Sequence, residues 1–227
     1  MKIKWLGHSA FLIEGKNKVL IDPFLTGNPK AAVKADEVDC DIICVTHGHL
    51  DHLGDSANIA RRTGAIVAAI VEMSNYFEKL GIETVGFNIG GTARVLETDI
   101  TMVPAFHSSS VNAPGLEFAA AMPVGMVIDS GKVVYHAGDT SVFSDMKLIG
   151  DLYKPEAAML PIGGFYTMDP WQAAMAAKLI RPKYVFPMHY DTFSTIMASP
   201  QEFEKLVKKE AKGTRVVILK PGETFDL

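Results

Sequence analysis

An α+β fold, with helices packed outside two sheets, is what this sequence predicts, and three observations carry it. Short apolar runs recur along the whole chain between turn-forming residues. Several of them are apolar at successive positions rather than alternately, the mark of strands covered on both faces. Helical patterns fall in both halves, so helices are available to cover a sheet on either side.

Taken in order, residues 3–6, 10–13 and 19–21 read as strands, with Gly15-Lys16-Asn17-Lys18 as a turn between the last two. Further strand-like runs lie at 42–45, 65–71, 100–103, 125–128, 133–135, 157–160, 184–187 and 216–219. Helical patterns occupy 55–62, 74–80, 170–180 and 200–209. Two of the helix starts are well marked. Asp169 is an N-cap followed by Pro170 at the first helical position, with Gln172 where a capping box needs it. Ser199-Pro200-Gln201-Glu202 repeats that grammar. Each half runs from a β-rich stretch into β–α units, which is compatible with a two-sheet sandwich with helices outside, and no linker divides the chain. A single domain over residues 1–227 is expected.

Composition narrows the function. Apolar residues make up 48% of the 227, enough for a substantial core, and charged residues 21%. A net charge of −4 with dispersed Lys and Arg argues against a generic nucleic-acid surface. The two cysteines, Cys40 and Cys44, form no spaced disulfide framework. No apolar stretch reaches the roughly 18–20 residues of a membrane span, and Met1 to Gly7 enter a strand-like run without a signal-peptide layout. A cytoplasmic protein is expected.

The most informative segment is Thr46-His47-Gly48-His49-Leu50-Asp51-His52, which follows the apolar run Ile42-Ile43-Cys44-Val45. Three of the seven histidines fall in it. A loop leaving a buried strand turns several such side chains toward one point, and imidazole and carboxylate are the usual ligands of divalent ions. Gly48 leaves room for the rings of His47 and His49 to approach one cation. The segment reads as a metal site. His8, His107, Asp139 and His189 each follow a strand-like run elsewhere. Singly, a strand-end histidine is more often structural, and Asp139 has the alternative of capping a helix. Their shared position at strand ends makes them further ligand candidates, because strand ends on one sheet edge converge.

This ordered set resembles the signature of the metallo-β-lactamase fold hydrolases: His-x-His-x-Asp-His, a strand-end His, an Asp in a Gly-Asp turn and a late His. Gly7-His8-Ser9-Ala10, Ile21-Asp22-Pro23-Phe24, Pro161-Ile162-Gly163-Gly164 and Pro187-Met188-His189-Tyr190 are similar to the branch that contains ascorbate-6-phosphate lactonase. The resemblance implies a four-layer αβ/βα sandwich with a binuclear site at one edge of the sheets. One metal would be held by His47, His49 and His107, the other by Asp51, His52 and His189, with Asp139 between them. Asp22 would orient the ligands from behind, as outer partners of metal sites do. Asp51 would also act in catalysis. His8 is assigned to the rim of the site as a catalytic group, and His136 to a buried structural role.

Such a site hydrolyses: two divalent ions sharing a hydroxide attack a polarised oxygen centre without a protein nucleophile. The expected substrate is a phosphodiester, a phosphorylated lactone or a related small molecule. The all-nitrogen-and-oxygen donor set admits Zn or Mn, with Ni and Fe as further candidates. The oxygen-reducing diiron relatives carry glutamate where this chain has His49, and nucleic-acid-processing relatives carry an inserted domain that 227 residues do not accommodate. The alternatives are a non-catalytic metal-binding or sensor protein and a glyoxalase-type thioester hydrolase. Serines 108–110 beside His107 either bind a substrate oxygen or form a plain polar loop. The partner is a small-molecule substrate, without nucleic acid or membrane, and a homo-oligomer is compatible with the sequence.

Overall fold

The computed structural model describes residues 1–110 and 121–227. Among the described residues, fourteen strands form two mixed sheets of seven. The first half contributes β1 (Lys2–Gly7), β2 (Ala10–Glu14), β3 (Lys18–Ile21), β4 (Ile42–Cys44), β5 (Ile66–Ile70), β6 (Thr84–Phe87) and β7 (Thr92–Val95). The second half contributes β8 (Thr98–Pro104), β9 (Val124–Asp129), β10 (Val133–His136), β11 (Ala157–Pro161), β12 (Tyr184–Met188), β13 (Arg215–Val216) and β14 (Thr224–Asp226). One sheet has the order β14-β1-β2-β3-β4-β5-β6, the other β13-β12-β11-β10-β9-β8-β7. Each is antiparallel on one side and parallel on the other, from β3 to β6 in the first and from β10 to β13 in the second. The similarity of the two halves expected from the sequence is therefore real at the level of topology.

Parallel neighbours need crossovers, and helices supply them. The helices are α1 (Leu50–Leu53), α2 (Ser56–Thr63), α3 (Val71–Lys79), α4 (Met146–Tyr153), α5 (Pro170–Ile180) and α6 (Pro200–Glu210). α2 and α3 pack on the first sheet, and α5 and α6 on the second, so each parallel half is covered outside by helices and inside by the other sheet. That arrangement explains the unbroken apolar runs: β4 and β11 are buried at every position. The result is the α+β four-layer sandwich. Asp169 caps α5 as expected, accepting from the Gln172 amide at 2.7 Å, and Ser199 caps α6 by accepting from Glu202. No helix among the described residues is long and apolar enough to cross a membrane.

The structure departs from the sequence reading at several elements. β6, β7 and β14 carry polar, half-exposed residues, and their apolar signal is correspondingly weak. The run at 216–219 contributes only its start to β13, because the chain turns at Pro221-Gly222 to cross into β14 of the other sheet. Val71 begins α3 rather than ending β5. α4 was hidden by Gly150 in its middle, a residue that costs helix stability. A Cβ there would lie 2.3 Å from the Ile180 carbonyl oxygen, so the glycine is what lets α4 lie against the end of α5.

The strand directions aim the site. His8 follows β1, Asp22 follows β3, His47 lies just beyond β4, His107 beyond β8, Asp139 beyond β10 and His189 directly after β12. All six leave the carboxyl ends of their strands, and both sheets present those ends to the same edge.

Candidate metal centre

All seven residues expected as ligands meet at that edge. His47 Nε2 lies 3.0 Å from His49 Nδ1, and the ring of His107 stands 5.2 and 5.1 Å from theirs. Asp139 reaches the other way: one of its oxygens is 3.2 Å from His52 Nε2, the other 3.1 Å from His189 Nε2 and 3.5 Å from His107 Nε2. Asp51 Oδ2 stands 3.8 Å from His189 Nε2. Potential ligand atoms gather in three overlapping groups: His47, His49 and His107; His47, His52 and Asp139; and Asp51, His52 and His189 together with His8. Asp139 is thus central. It caps no helix, since α4 begins at Met146 behind Asp145.

Behind the ligands lies a second set of contacts that fixes their rings. Asp22 accepts from the Thr46 amide at 2.8 Å, from the Thr46 hydroxyl at 2.7 Å and from His52 Nδ1 at 2.7 Å. The Thr46 hydroxyl, its proton given to Asp22, accepts from His47 Nδ1 at 3.0 Å. One carboxylate therefore directs Nε2 of both His52 and His47 into the centre, the arrangement that fixes the tautomer of a ligating imidazole. Thr140 ties two ligand loops together by accepting from the Phe106 amide, while the Ser141 amide donates to the Phe106 carbonyl. His136 is structural as expected: it is buried, donates from Nε2 to the Ser9 carbonyl, and its Nδ1 accepts from the Gly138 amide. Gly138 has φ 60, and a Cβ on it would lie 2.8 Å from the Val124 oxygen, so only glycine makes the turn into Asp139.

Three of these residues hold a left-handed backbone that side chains rarely adopt: Asp22 (φ 43), His8 (φ 54) and His189 (φ 55). Such positions cost about 1–3 kcal/mol each and persist where surrounding contacts dictate them. The contacts are present. The His8 carbonyl accepts from the His189 amide at 3.1 Å and from Trp5 Nε1 at 2.9 Å, and the Asp22 amide donates to Cys44.

His8 is not at the rim. Its side chain is fully buried, with Nε2 3.2 Å from Asp51 Oδ2 and Nδ1 2.8 Å from the Thr192 hydroxyl. Burial pulls its pKa down to about 4, against the opposing pull of Asp51. It is therefore neutral near pH 7, donating from Nε2 to Asp51 and accepting from Thr192, and it does not serve as an exposed proton donor. The segment from His189 to Phe193 folds over the end of β1, which the Gly-His-Ser motif alone did not reveal. The serines also divide: Ser109 accepts from the Gly48 amide at 3.1 Å and braces the histidine loop, whereas Ser108 faces the cavity.

The electrostatics fit a cation. Burial pushes His47, His49 and His107 toward the neutral form that ligates metal. Burial opposes a charge on His52 too, but Asp139 and Asp22 on either side outweigh it and raise its pKa well above the ordinary value. Asp51 is opposed by burial in the same way, yet its hydrogen bond from His8 and the nearby His52 hold it ionised well below the usual carboxylate range. His52 Nε2, Asp139 Oδ1 and both ring nitrogens of His189 are buried without a hydrogen bond. Buried polar atoms left so cost roughly 1–3 kcal/mol each, and three of them point at one another. A divalent ion bound by these atoms removes that cost. Over the cluster opens a cavity of about 560 Å³ whose far walls include Ser108, Tyr166, Phe193 and Thr195. Tyr166, Phe193 and Thr192 carried no signal in the sequence; Thr46 lay inside the histidine motif.

Comparison with known proteins agrees with this geometry. The model of the β-lactamase superfamily domain matches residues 2–189. A UPF0173 metal-dependent hydrolase of Archaeoglobus fulgidus is 50% identical over 228 residues, covering 100% of this chain and 99% of the relative. One of Methanopyrus kandleri is 52% identical over 230 residues, with both proteins covered in full. Among solved structures, a metallo hydrolase of the hyperthermophilic archaeon Ignicoccus hospitalis superimposes with a TM-score of 0.90 at 41% identity, covering 100% of this chain and 98% of that one. Fold and site together define a metal-dependent hydrolase. The chain belongs to the β-lactamase superfamily and, within it, to the UPF0173 metal-dependent hydrolases.

Proposed function

We propose that the centre takes two divalent ions and hydrolyses an ester-type bond, in a phosphodiester, a lactone or a related small molecule. The observation that carries this reading is the position of Asp139 in the lining of an open cavity, 3.2 Å from His52, 3.1 Å from His189 and 3.5 Å from His107, between two sets of candidate ligands. His47, His49 and His107 form one set; Asp51, His52 and His189 form the other. Their nitrogen and oxygen donors, without thiolate, suit Zn or Mn and also admit Ni or Fe. Bound there, such a pair supplies hydroxide at neutral pH and polarises the oxygen of the bond under attack. The protein does the rest. Asp22 and Thr46 hold His52 and His47 in register, and Asp51 faces the cavity as an ionised acceptor for a proton of the attacking water. Asp51 is kept in that pose by His8.

The test is to strip the protein with a chelator, reload it with Zn or Mn, and measure metal content and turnover of bis(p-nitrophenyl) phosphate and of a γ-lactone. The expected result is two ions per chain and turnover that returns with loading. One ion per chain, or no hydrolysis of either substrate by fully loaded protein, overturns the reading.

A further inference from the structure

The walls of the cavity over the metal centre include two aromatic rings, Tyr166 and Phe193, which remain 56% and 40% exposed. Phe193 rests on Phe24 and on the His8 ring at centroid distances of 6.3 and 5.8 Å, and Tyr166 stands edge-on to Phe165 at 4.8 Å. Both rings are thus backed by other rings, with a face left free. Exposed aromatic surface lining a cavity marks a place where apolar matter binds.

Charge gives the complementary half of the argument. No Lys or Arg is among the described residues lining this cavity, and the sequence from 111 to 120 contains none either. Among the described lining residues the fixed charges are the carboxylates of Asp51 and Asp139. Cations are plentiful elsewhere: Lys178, Arg181, Lys183, Lys209 and Lys212 line a separate hollow of about 700 Å³. The reacting group of a substrate would find positive charge at ions held by the ligand residues. A second anionic group, farther out, would lose its water against aromatic walls and face no partner, which is costly.

We infer that the substrate joins one hydrolysable group, directed to the metal ligands, to an uncharged aromatic or flat apolar body held against Tyr166 and Phe193, and carries no remote anionic group. The inference rests on the hydrolytic reading above and sharpens it against phosphorylated lactones. Ring-on-ring contact stabilises beyond the area it buries, so the two walls are sufficient to set preference.

Matched probes test it on the metal-loaded protein. p-Nitrophenyl phenyl phosphate and its para-carboxyphenyl counterpart share leaving group and reacting centre and differ only in remote charge. The carboxylate is expected to lower kcat/KM by about 10-fold or more, equivalent to about 1.4 kcal/mol. Phe193→Ala and Tyr166→Ala should each raise KM for the phenyl diester several-fold more than they lower kcat. Thr195→Lys should narrow the gap between the two diesters. Calorimetric binding of phenylphosphonate and para-carboxyphenylphosphonate reads the same preference without turnover. Tighter binding of the uncharged ring with no hydrolysis upholds the pocket and sinks the hydrolytic reading alone. Equal or better use of the carboxylated probes, in binding or turnover, overturns the pocket, and so does a KM indifferent to both aromatic substitutions.

Discussion

The two ligand sets at the sheet edge are built differently. His52 and His189 are buried, Asp22 lies directly behind one of them, and the His8–Thr192 pair holds their partner Asp51. All but His47 and His52 of the six line the same cavity, but the rings of His49 and His107 are only half-buried, and their set reaches Asp22 only through Thr46 and His47. The deep set is thus the more heavily braced by hydrogen bonds, and the outer set the less. Asp139 stands between them, 3.2 Å from His52, 3.1 Å from His189 and 3.5 Å from His107. The largest effect is therefore expected at Asp139. Asp139→Ala should leave both sets unable to retain metal, measured by elemental analysis, and bring turnover to the uncatalysed background. Retention of one full equivalent would mean that the sets are independent and that Asp139 is only a neighbour.

Next in size are substitutions confined to one set. His107→Ala should lower metal content by about half while the deep set stays filled. His189→Ala should empty the deep set and also loosen the loop from His189 to Phe193, because the ring that packs on His8 at a centroid distance of 4.1 Å is lost. Equal losses of affinity in the two variants would erase the distinction between deep and outer. Asp22→Asn comes third. Asparagine tolerates the positive φ at this position, so the fold should persist, but its amide nitrogen meets Thr46 or His52 as a donor against a donor. Loss of an outer partner of this kind costs about 10–100-fold in metal affinity, and the deep set should suffer more than the outer. Titration with a competing chelator measures both constants.

The same contrast separates what the sequence disclosed from what it hid. Four ligands packed into His47-Gly48-His49-Leu50-Asp51-His52 are visible because they are contiguous. His107, Asp139 and His189 are visible only through the rule that strand ends converge, and their resemblance to a known order. Buried strands showed themselves by unbroken apolar runs. The strands missed or cut short, β6, β7, β13 and β14, are the four edges of the two sheets. Edge strands carry polar residues and interruptions that guard against pairing with other chains, so periodicity fails where that protection operates. The supporting contacts were least legible. Thr192, Tyr166 and Phe193 are ordinary loop residues in sequence, and only the folding of their loops over β1 and the metal ligands gives them a role. His8 illustrates the limit: its motif placed it near the site and said nothing of depth.

The smallest effect, and the finest test of the contrast, is at His8. The neutral ring bridges Asp51 and Thr192, so its work is to hold Asp51 in position rather than to exchange protons. His8→Asn keeps a side chain that accepts a left-handed backbone but is too short to span from Thr192 to Asp51. The outer set should then keep its metal at wild-type affinity, while the deep set weakens by about 10–100-fold, the usual scale for losing a partner behind a ligand. Turnover at saturating metal should fall less than affinity does, because added metal restores the Asp51 pose in part. His8→Gln, longer by one methylene and still carrying an N–H, should recover part of the loss. Two outcomes break this assignment. Complete loss of the deep metal in both variants makes His8 a ligand, in keeping with its place 3.2 Å from Asp51 Oδ2 and beside His189 at a ring distance of 4.1 Å. Unchanged affinity and turnover in His8→Asn would mean that burial alone holds Asp51, and the deep set would owe its rigidity to Asp22.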